Sequence, residues 1–263
     1  MTGAEGAGAF GRATGRSVEH ESELHQTRYR AYQLDLIRRH CGSSVLEVGA
    51  GLGEFASQLC GLERHVVTDV DPACVDHMRR RFAHRSEVEA HRLDLGAGSA
   101  GHGRPVATVM AINVLEHLED DGAALGSMAG LAEPGGTIVI WVPGYMQLYG
   151  DFDRRVGHLR RYTPDTLRAA FVRAELEPIE VRPVNLLGGV AWWLAVRAGG
   201  VGAGTDGDEA GGVAGEGGRP SRARTVLVRS YDRLLVPVTR AVEGRVTPPF
   251  GQSVLGVARV PSP

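Results

Sequence analysis

Apolar segments of strand length alternate with segments of helical character through the middle of the chain. Helical segments at 53–61, 72–83 and 120–132 follow the predicted strands at 44–48, 64–70 and 105–115. Such alternation predicts right-handed βαβ units and a parallel sheet. The five predicted strands are 44–48, 64–70, 87–95, 105–115 and 135–143.

The same kind of pattern extends on both sides of this region. An imperfect helical pattern at about 21–40 precedes the first strand, and residues 21–263 are predicted to form a single domain. Residues 185–250 are predicted to be a helical insertion before the last strand. Two Gly-rich stretches without periodicity, 1–20 and 199–222, are predicted to be disordered. Beyond the fifth strand the predicted elements are a helix at 164–174, a strand at 178–184, helices at 186–198 and 223–243, and a strand at 253–260.

Composition and charge exclude several classes of protein. A length of 263 residues suits one sizeable α/β domain, and a net charge of −2 does not favour nucleic acid as a partner. All 29 Lys or Arg positions are arginine, which excludes a catalytic lysine. The three cysteines have no metal-ligand spacing and suggest no disulfide framework, so a cytoplasmic location is expected. Neither a membrane-spanning run nor the apolar core of a signal peptide is found, so stable membrane insertion and secretion are not expected.

A glycine-rich turn follows the first predicted strand, in the stretch VLEVGAGLGEF at 45–55. Its glycines, Gly49, Gly51 and Gly53, let a backbone approach a ligand closely, and a helix start behind them would offer free N–H groups. A dinucleotide loop of the form G-x-G-x-x-G would need glycine at position 54, where this chain has Glu54. An ordinary glycine turn is the alternative interpretation.

Two acidic residues beside this turn indicate the kind of ligand. Glu47 precedes the glycines, where a carboxylate would repel phosphates but would hold a cationic amine. Asp69 ends the second strand, where an acid can accept hydrogen bonds from both ribose hydroxyls. Together they favour a nucleoside ligand that carries a positive charge and no phosphate.

Successive motifs over about 40–145 resemble those of class I S-adenosylmethionine-dependent methyltransferases. They are EVGAGLG, VVTDVDP, HRLDL, AINVLEHLED and EPGGTIVIWVP, and the later GHLRRY is similar to a GHxRRY signature of bacterial small-molecule enzymes. The resemblance implies a three-layer, Rossmann-like α/β fold whose seven-stranded, mostly parallel sheet ends in an antiparallel strand, with 253–260 as that strand. It also implies an enzyme that uses S-adenosylmethionine and acts on a small molecule, with specialised metabolism as the expected setting.

The resemblance also implies which residues bind the cofactor. The methionine part would be cradled by Glu47, Gly49, Ala50, Gly51 and Gly53. Asp69 would bind the ribose, and Val70, Asp94 and Leu95 would contact the adenine. Asn113 would flank the methionine end. Asp71 is predicted to cap the helix that Pro72 begins.

Three residues are predicted to be catalytic. His117, in LEHLED after the fourth strand, is placed to face the methyl group, and its alternative is a structural histidine. His158 and Tyr162 lie in the loop before the helix that Thr163 is predicted to cap. Glu116 and Glu119 would offer metal ligands next to His117, but the sequence shows no further ligand cluster, so no metal is predicted.

The acceptor is expected to bind beyond the fifth strand, between PGYMQLYG and the tryptophans of the apolar helix at 186–198. Arg160 or Arg161 would bind an anionic group, so an amphiphilic acceptor with an acidic group is predicted. The alternative is a solvated loop in which the arginines pair with Asp151 and Asp153. The apolar helix would roof the pocket, or form a homodimer surface or core. The predicted acceptor-binding residues are Tyr145, Tyr149, Arg160, Arg161, Trp192 and Trp193.

Two other functions are compatible with such a fold. An NAD-dependent oxidoreductase is one, although the glycine spacing and Glu47 argue against it. A nucleoside-binding module that has lost turnover is the other. The acidic and glycine positions that an active enzyme needs are all present, which argues against such a loss.

Overall fold

The computed structural model describes residues 27–97, 103–197 and 229–262. Their strands are β1 (Ser44–Val48), β2 (Arg64–Asp69), β3 (Val88–Arg92), β4 (Val106–Ile112), β5 (Ala132–Pro143), β6 (Glu177–Val184) and β7 (Ser253–Arg259). Their helices are α1 (Thr27–Arg38), α2 (Pro72–Arg81), α3 (Asp121–Ala129), α4 (Asp151–Val156), α5 (Pro164–Arg173), α6 (Leu186–Arg197) and α7 (Val236–Glu243). A π-helical turn, Tyr231–Leu235, leads into α7.

The strands form one seven-stranded sheet in the order β3-β2-β1-β4-β5-β7-β6. Neighbours from β3 to β5 pair in parallel, and β7 runs antiparallel to both β5 and β6. This confirms the predicted fold class and the antiparallel last strand. The strand order reverses between β1 and β4, which opens a crevice at the carboxyl ends of these strands.

Apolar side chains on both faces of the sheet explain the continuous apolar runs in the sequence. In β4, Val109 packs with the layer that includes Leu125 of α3 and Phe171 of α5. Its neighbour Met110 packs on the other face, with Ile37 of α1. Successive residues point to opposite faces of a strand, so a strand covered by two helical layers needs apolar residues at every position.

The segment 53–61, predicted to be a helix, does not form one. Residues 51–58 form a succession of turns, in which Ser57 N–H donates to the Gly53 carbonyl at 2.9 Å and Gln58 N–H to the Phe55 carbonyl at 3.0 Å. Gly53 has a left-handed backbone, with φ +74°, and the hydrogen bonds after it span four residues in one case and three in the next, so no continuous α-helical ladder forms. The prediction was wrong because apolar spacing does not register this backbone conformation.

A short helix, α4, for which the sequence predicted no element, precedes the predicted loop at 158–162. Asp153 accepts a hydrogen bond from Gly150 N–H at 2.9 Å at its start, and Gly157, with φ +81°, ends it. The predicted cap of α5 is confirmed, because Thr163 Oγ1 accepts from Thr166 N–H at 3.2 Å. The left-handed glycine turns the chain and brings 158–162 back to the sheet edge.

The segment between β6 and β7 carries α6 and α7. Both predicted disordered stretches, 1–20 and 199–222, lie outside the described residues, as does the first part of the helix predicted at 223–243. Within the described ranges, no helix has both the length and the apolar character that crossing a membrane requires.

Candidate functional site

The glycine turn after β1 has a backbone that requires glycine. Gly49, Gly51 and Gly53 have φ values of +67°, +57° and +74°. A Cβ on Gly49 would lie 2.6 Å from Cγ2 of Val114, and one on Gly53 would lie 2.6 Å from Cε2 of Phe82. Any side chain at these two positions would therefore be strained and would collide with the core.

Asp69 holds this turn in place. Its carboxylate accepts hydrogen bonds from Gly51 N–H and Asp71 N–H, each at 2.9 Å. Burial raises the pKa of Asp69, although these backbone donors oppose the rise. Asp71 accepts from Ala73 N–H at 2.8 Å and caps α2, as predicted. The two acids thus have different local roles in the structure.

Glu47 is a buried acid at the base of the turn. Its side chain is 3% exposed, and its Oε2 has no hydrogen-bond partner among the described residues. The same oxygen lies 3.8 Å from His65 Nε2, and Arg30 is a cation whose charge acts to lower the pKa of Glu47. Burial raises the pKa of Glu47 to about 8 and lowers that of His65 to about 4. A buried acid without a hydrogen-bond partner suits a ligand that brings its own cationic group.

The remaining predicted cofactor residues follow the carboxyl ends of their strands. Asp94 is exposed and accepts from Gly96 N–H at 2.9 Å, at the start of a 3₁₀ turn that contains the half-buried Leu95. Val70 is half-buried after β2, and Ala50 N–H donates to the Thr68 carbonyl at 2.8 Å. Asn113 is exposed after β4, with a left-handed φ of +53°.

A polar surface depression of about 520 Å³ lies elsewhere, at the amino-terminal edge of the sheet. Arg64, Glu87, Glu89 and Arg104 are among its lining residues, and Arg64 pairs with Glu89 at 2.8 Å. In open α/β sheets ligands bind at the opposite edge. This depression is therefore not assigned to the site.

Asp153 organises the charged segment after β5. Arg161 donates to both of its carboxylate oxygens, from Nε at 2.8 Å and from Nη2 at 3.0 Å. His158 Nδ1 lies 2.7 Å from Asp153 Oδ1, and Gly150 N–H also donates to this carboxylate. Burial acts to raise the pKa of Asp153, but the hydrogen bonds from His158 and Arg161 outweigh it and the pKa is lowered. Arg161 is itself buried, so its charge is engaged inside the protein.

Arg160 and Tyr162 are both linked to Asp121, at the start of α3. Tyr162 is buried, and its hydroxyl donates to Asp121 Oδ2 at 3.1 Å. Burial is the main reason that the pKa of Tyr162 is raised. Arg160 Nη1 lies 3.5 Å from the same oxygen and Nη2 donates to the Glu119 carbonyl, but its side chain remains 32% exposed. Of the two predicted anion-binding arginines, Arg160 is therefore the accessible one.

Glu116, His117 and His158 come together beside the Asp153 group. The two imidazole rings are 4.7 Å apart, and His117 Nδ1 lies 3.2 Å from the Gly157 carbonyl oxygen. Glu116 is fully buried, and neither of its carboxylate oxygens has a hydrogen-bond partner among the described residues. Burial raises the pKa of Glu116 to about 8, and burial with the neighbouring His158 lowers that of His117 to about 4.

Aromatic side chains line the same edge of the sheet. Trp192 Nε1–H donates to the Leu148 carbonyl at 3.0 Å, and its ring lies 5.4 Å from that of Phe152. Tyr149 donates its hydroxyl to the His158 carbonyl at 2.8 Å. Tyr145 contacts the ring of Phe250 at 4.6 Å. Trp193 is half-buried.

Sequence reasoning missed several members of this site. Phe152 and Phe250 were not predicted, and Asp153 was considered only as a partner for surface arginines. The acidic residues that flank Phe152 in DFD are the only local signal for this group. Nothing in the sequence indicates that Phe250 returns to the end of β5.

Residues 23–181, more than half of the chain, match the model of a methyltransferase domain family. The chain belongs to this family. It is therefore an S-adenosylmethionine-dependent methyltransferase, and this assignment decides against the NAD-dependent alternative. A search of curated proteins finds no match.

Solved structures show the same fold at low sequence identity. A chain of the complex between the Haloferax volcanii Trm112 methyltransferase activator and a methyltransferase is 16% identical, with 96% of this chain and 97% of that chain covered and a TM-score of 0.59. The YcgJ protein from Bacillus subtilis is 12% identical, with 89% and 99% covered and a TM-score of 0.54. The [4+2]-cyclase SpnF is 14% identical, with 89% and 82% covered and a TM-score of 0.55. The name of the last protein shows that this fold also serves reactions other than methyl transfer.

The glycine turn of this methyltransferase fits its cofactor. S-adenosylmethionine, when bound, supplies a methyl group activated by a positively charged sulfur, and it carries an ammonium group without any phosphate. The left-handed glycines leave the backbone of the turn without side chains, and Glu47 offers a buried carboxylate oxygen that has no hydrogen-bond partner among the described residues. Both features agree with a cationic nucleoside as the ligand.

Glu47 makes stability depend on pH in the absence of the cofactor. Its pKa is raised from 4.5 to about 8, so the folded state keeps a proton that the unfolded state releases between these values. The free energy of unfolding therefore falls as pH rises through this window. We expect Glu47→Gln to remove most of this fall, so that the variant gains on the order of 3 kcal/mol over wild type between pH 5 and pH 8.

Thermal or denaturant unfolding at several pH values without cofactor measures this effect. Glu63→Gln, a change at an exposed glutamate, is the matched control and should follow the wild-type pH profile. Parallel pH profiles for wild type and Glu47→Gln would contradict the prediction.

Proposed function

We propose that this methyltransferase acts on a small-molecule acceptor bound at the carboxyl ends of β4 and β5. The observation that carries the proposal is the aromatic and histidine-containing surface formed after these two strands, next to the glycine turn after β1. The strand order reverses at this point, which is where open α/β folds bind ligands. Donor and acceptor would then meet in one crevice.

The proposed donor contacts follow the carboxyl edge from β1 to β3, with one residue after β4. Asp69 would bind the ribose while it also holds the turn through Gly51 N–H. The ammonium of the methionine part would lie near Glu47. The complete proposed set is Glu47, Gly49, Ala50, Gly51, Gly53, Asp69, Val70, Asp94, Leu95 and Asn113.

The proposed acceptor is amphiphilic, with an apolar body and an acidic group. The apolar body would pack against Tyr145, Tyr149 and the Trp192–Phe152 pair, with Trp193 on the same helix as Trp192. The acidic group would bind Arg160, because this side chain keeps about a third of its surface accessible. Arg161 is not included, since Asp153 already engages it through two hydrogen bonds.

The protein contributes mainly alignment to the chemistry. Methyl transfer needs the acceptor atom in line with the sulfur–carbon bond, so positioning by a rigid pocket supplies much of the acceleration. A hydroxyl acceptor must also lose its proton. We place this activation at His117 and His158, and we assign Tyr162 a positioning role, since its backbone pairs with Gly144 and its hydroxyl binds Asp121.

Turnover on a panel of small molecules tests the proposal. Purified protein with S-adenosylmethionine should release S-adenosylhomocysteine and add one methyl group to an acceptor that carries an acidic group. Arg160→Ala should raise the KM for that acceptor about 10-fold, because a charge-assisted hydrogen bond is lost. It should leave the KM of the neutral ester analogue unchanged.

Arg155→Ala, a change at an exposed arginine of α4, is the matched control and should behave as wild type. Equal KM values for the acid and its ester in wild type would contradict the acidic group. Binding of S-adenosylhomocysteine without turnover on any small molecule would instead favour the binding module without catalysis.

A further inference from the structure

Glu116, His117 and His158 have the composition and spacing of a metal-binding site. The first two follow β4 and the third follows α4, and one potential ligand atom from each lies within 4.8 Å of the others. Glu116 is fully buried, and its two carboxylate oxygens have no hydrogen-bond partner in the described part of the chain. A buried carboxylate in this condition is costly unless a cation or a proton accompanies it.

The histidines are oriented by groups that only accept hydrogen bonds. Asp153 Oδ1 lies 2.7 Å from His158 Nδ1, and the Gly157 carbonyl oxygen lies 3.2 Å from His117 Nδ1. In a neutral ring these contacts place the proton on Nδ1, which gives Nε2 a lone pair. A carboxylate or carbonyl behind each histidine is the usual surrounding of histidines that bind metals.

The distances suit an ion between these side chains. His158 Nε2 and Glu116 Oε1 are 3.6 Å apart, which is too long for a hydrogen bond. If both atoms are acceptors, this arrangement needs a cation or a proton to stabilise it. Metal bonds of about 2.0–2.1 Å in a tetrahedral site place neighbouring ligand atoms about 3.3–3.4 Å apart. The observed pair needs little adjustment, and since the three ligand atoms lie within 4.8 Å of one another, the other separations would have to shorten by at most about 1.5 Å.

The nearby fixed charges do not supply this positive group. Arg161 is the adjacent cation, and its guanidinium forms two hydrogen bonds with Asp153. These two charges compensate each other. Glu116 is thus the acid in this group that lacks a directly bonded cation among the described residues.

We propose that Glu116, His117 and His158 bind a divalent transition-metal ion, with Zn²⁺ as the best match. Two imidazole nitrogens with one carboxylate oxygen are a ligand set for zinc and similar ions, whereas Mg²⁺ and Ca²⁺ prefer oxygen ligands. Three protein ligands leave at least one coordination position open for water or for an acceptor oxygen. This last point rests on the proposed function, with the bound ion rather than a free imidazole then activating the acceptor oxygen, and would make an oxygen-bearing acceptor the preferred class.

The proposal goes beyond the sequence-based prediction of no metal. That prediction considered Glu116, His117 and Glu119, which are close in sequence. The structure leaves Glu119 exposed and brings in His158, which follows α3, β5 and α4 along the chain.

Metal binding by the full-length protein tests the proposal directly. Protein treated with a chelator and then titrated with Zn²⁺ should bind one equivalent, and Co²⁺ should give the visible absorption of a site with nitrogen and oxygen ligands. Glu116→Gln, His117→Ala and His158→Ala should each weaken Zn²⁺ binding on the order of 100-fold or more. Glu119→Gln and His84→Ala, which change exposed residues of the same types, should leave it unchanged.

Two further measurements keep the outcomes distinct. Circular dichroism checks that each variant is folded, and Glu116→Gln is nearly isosteric, so it preserves the packing. Calorimetric binding of S-adenosylhomocysteine, measured with and without metal, tests the donor site independently. Donor binding with no Zn²⁺ bound by folded wild type overturns the metal site and leaves the proposed function standing. In that outcome a proton shared within this group, rather than a metal ion, would stabilise the buried Glu116 carboxyl.

Zn²⁺ binding that all three ligand variants retain would equally overturn the site. Zn²⁺ binding that depends on these residues, in a protein with no turnover on any acceptor, would support the site while the proposed function fails.

Discussion

The Asp69→Ala variant is expected to bind S-adenosylmethionine at least about 100-fold more weakly than wild type. The Asp69 carboxylate accepts hydrogen bonds from Gly51 N–H and Asp71 N–H, so its removal frees the glycine turn as well as the proposed ribose contact. Each hydrogen bond from a ribose hydroxyl to this carboxylate would contribute about 1.5–3 kcal/mol, so losing two of them would account for an effect of this size. Isothermal titration with S-adenosylmethionine and with S-adenosylhomocysteine measures it.

Asp71→Ala is the matched control for this prediction. Asp71 caps α2 through Ala73 N–H, so its removal should cost about 1 kcal/mol of stability and change cofactor affinity little. Comparing these two variants thus separates the effect of losing the acid that holds the glycine turn from the effect of losing the acid that caps α2. Equal losses of affinity in the two variants would show that the ribose contact was assigned to the wrong acid.

The Asp153→Ala variant is expected to lose about 3–5 kcal/mol of unfolding free energy. The change would leave Arg161 buried with an uncompensated charge and would remove the acceptor for Gly150 N–H at the start of α4. For a chain of this size the melting temperature should fall by on the order of 10 °C. Denaturant unfolding monitored by circular dichroism gives the free energy directly.

Asp151→Ala is the control, since Asp151 pairs with Arg154 on the exposed surface of α4. Exposed ion pairs contribute little, so this variant should lie within about 0.5 kcal/mol of wild type. The double variant Asp153→Ala with Arg161→Met should be more stable than Asp153→Ala alone, because the unpaired buried charge is gone. If the two single aspartate variants were equally stable, the buried pair would not have the proposed role.

The segment DFDRRVGHLRRYT at 151–163 shows how burial changes the meaning of a charged sequence. Arg154 pairs with Asp151 at the surface, which is the solvated alternative considered from the sequence. Arg161 pairs with Asp153 inside the protein and contacts the face of Trp192 at 5.6 Å. Of Arg160 and Arg161, Arg160 keeps accessible surface for an acceptor. Neighbouring residues of the same type therefore have three different environments.

The sequence by itself determined the fold class, the family and the position of the glycine turn. These features are local: strands covered on both faces need unbroken apolar runs, and a left-handed turn that touches Val114 accepts glycine alone. The helix predicted at 53–61 does not form, because apolar spacing does not register the backbone conformation of the turn that begins with Gly53.

Only the tertiary structure decided which polar side chains meet. Glu116 and His158 are 42 positions apart in the numbering, and Phe250 reaches Tyr145 from across the insertion. No period or motif encodes such distances, and the burial of Asp153 with Arg161 depends on how α4 and β5 pack together. Charge and pKa follow from burial and from neighbours brought in by the fold, so the chemistry of this site is a property of the packed chain.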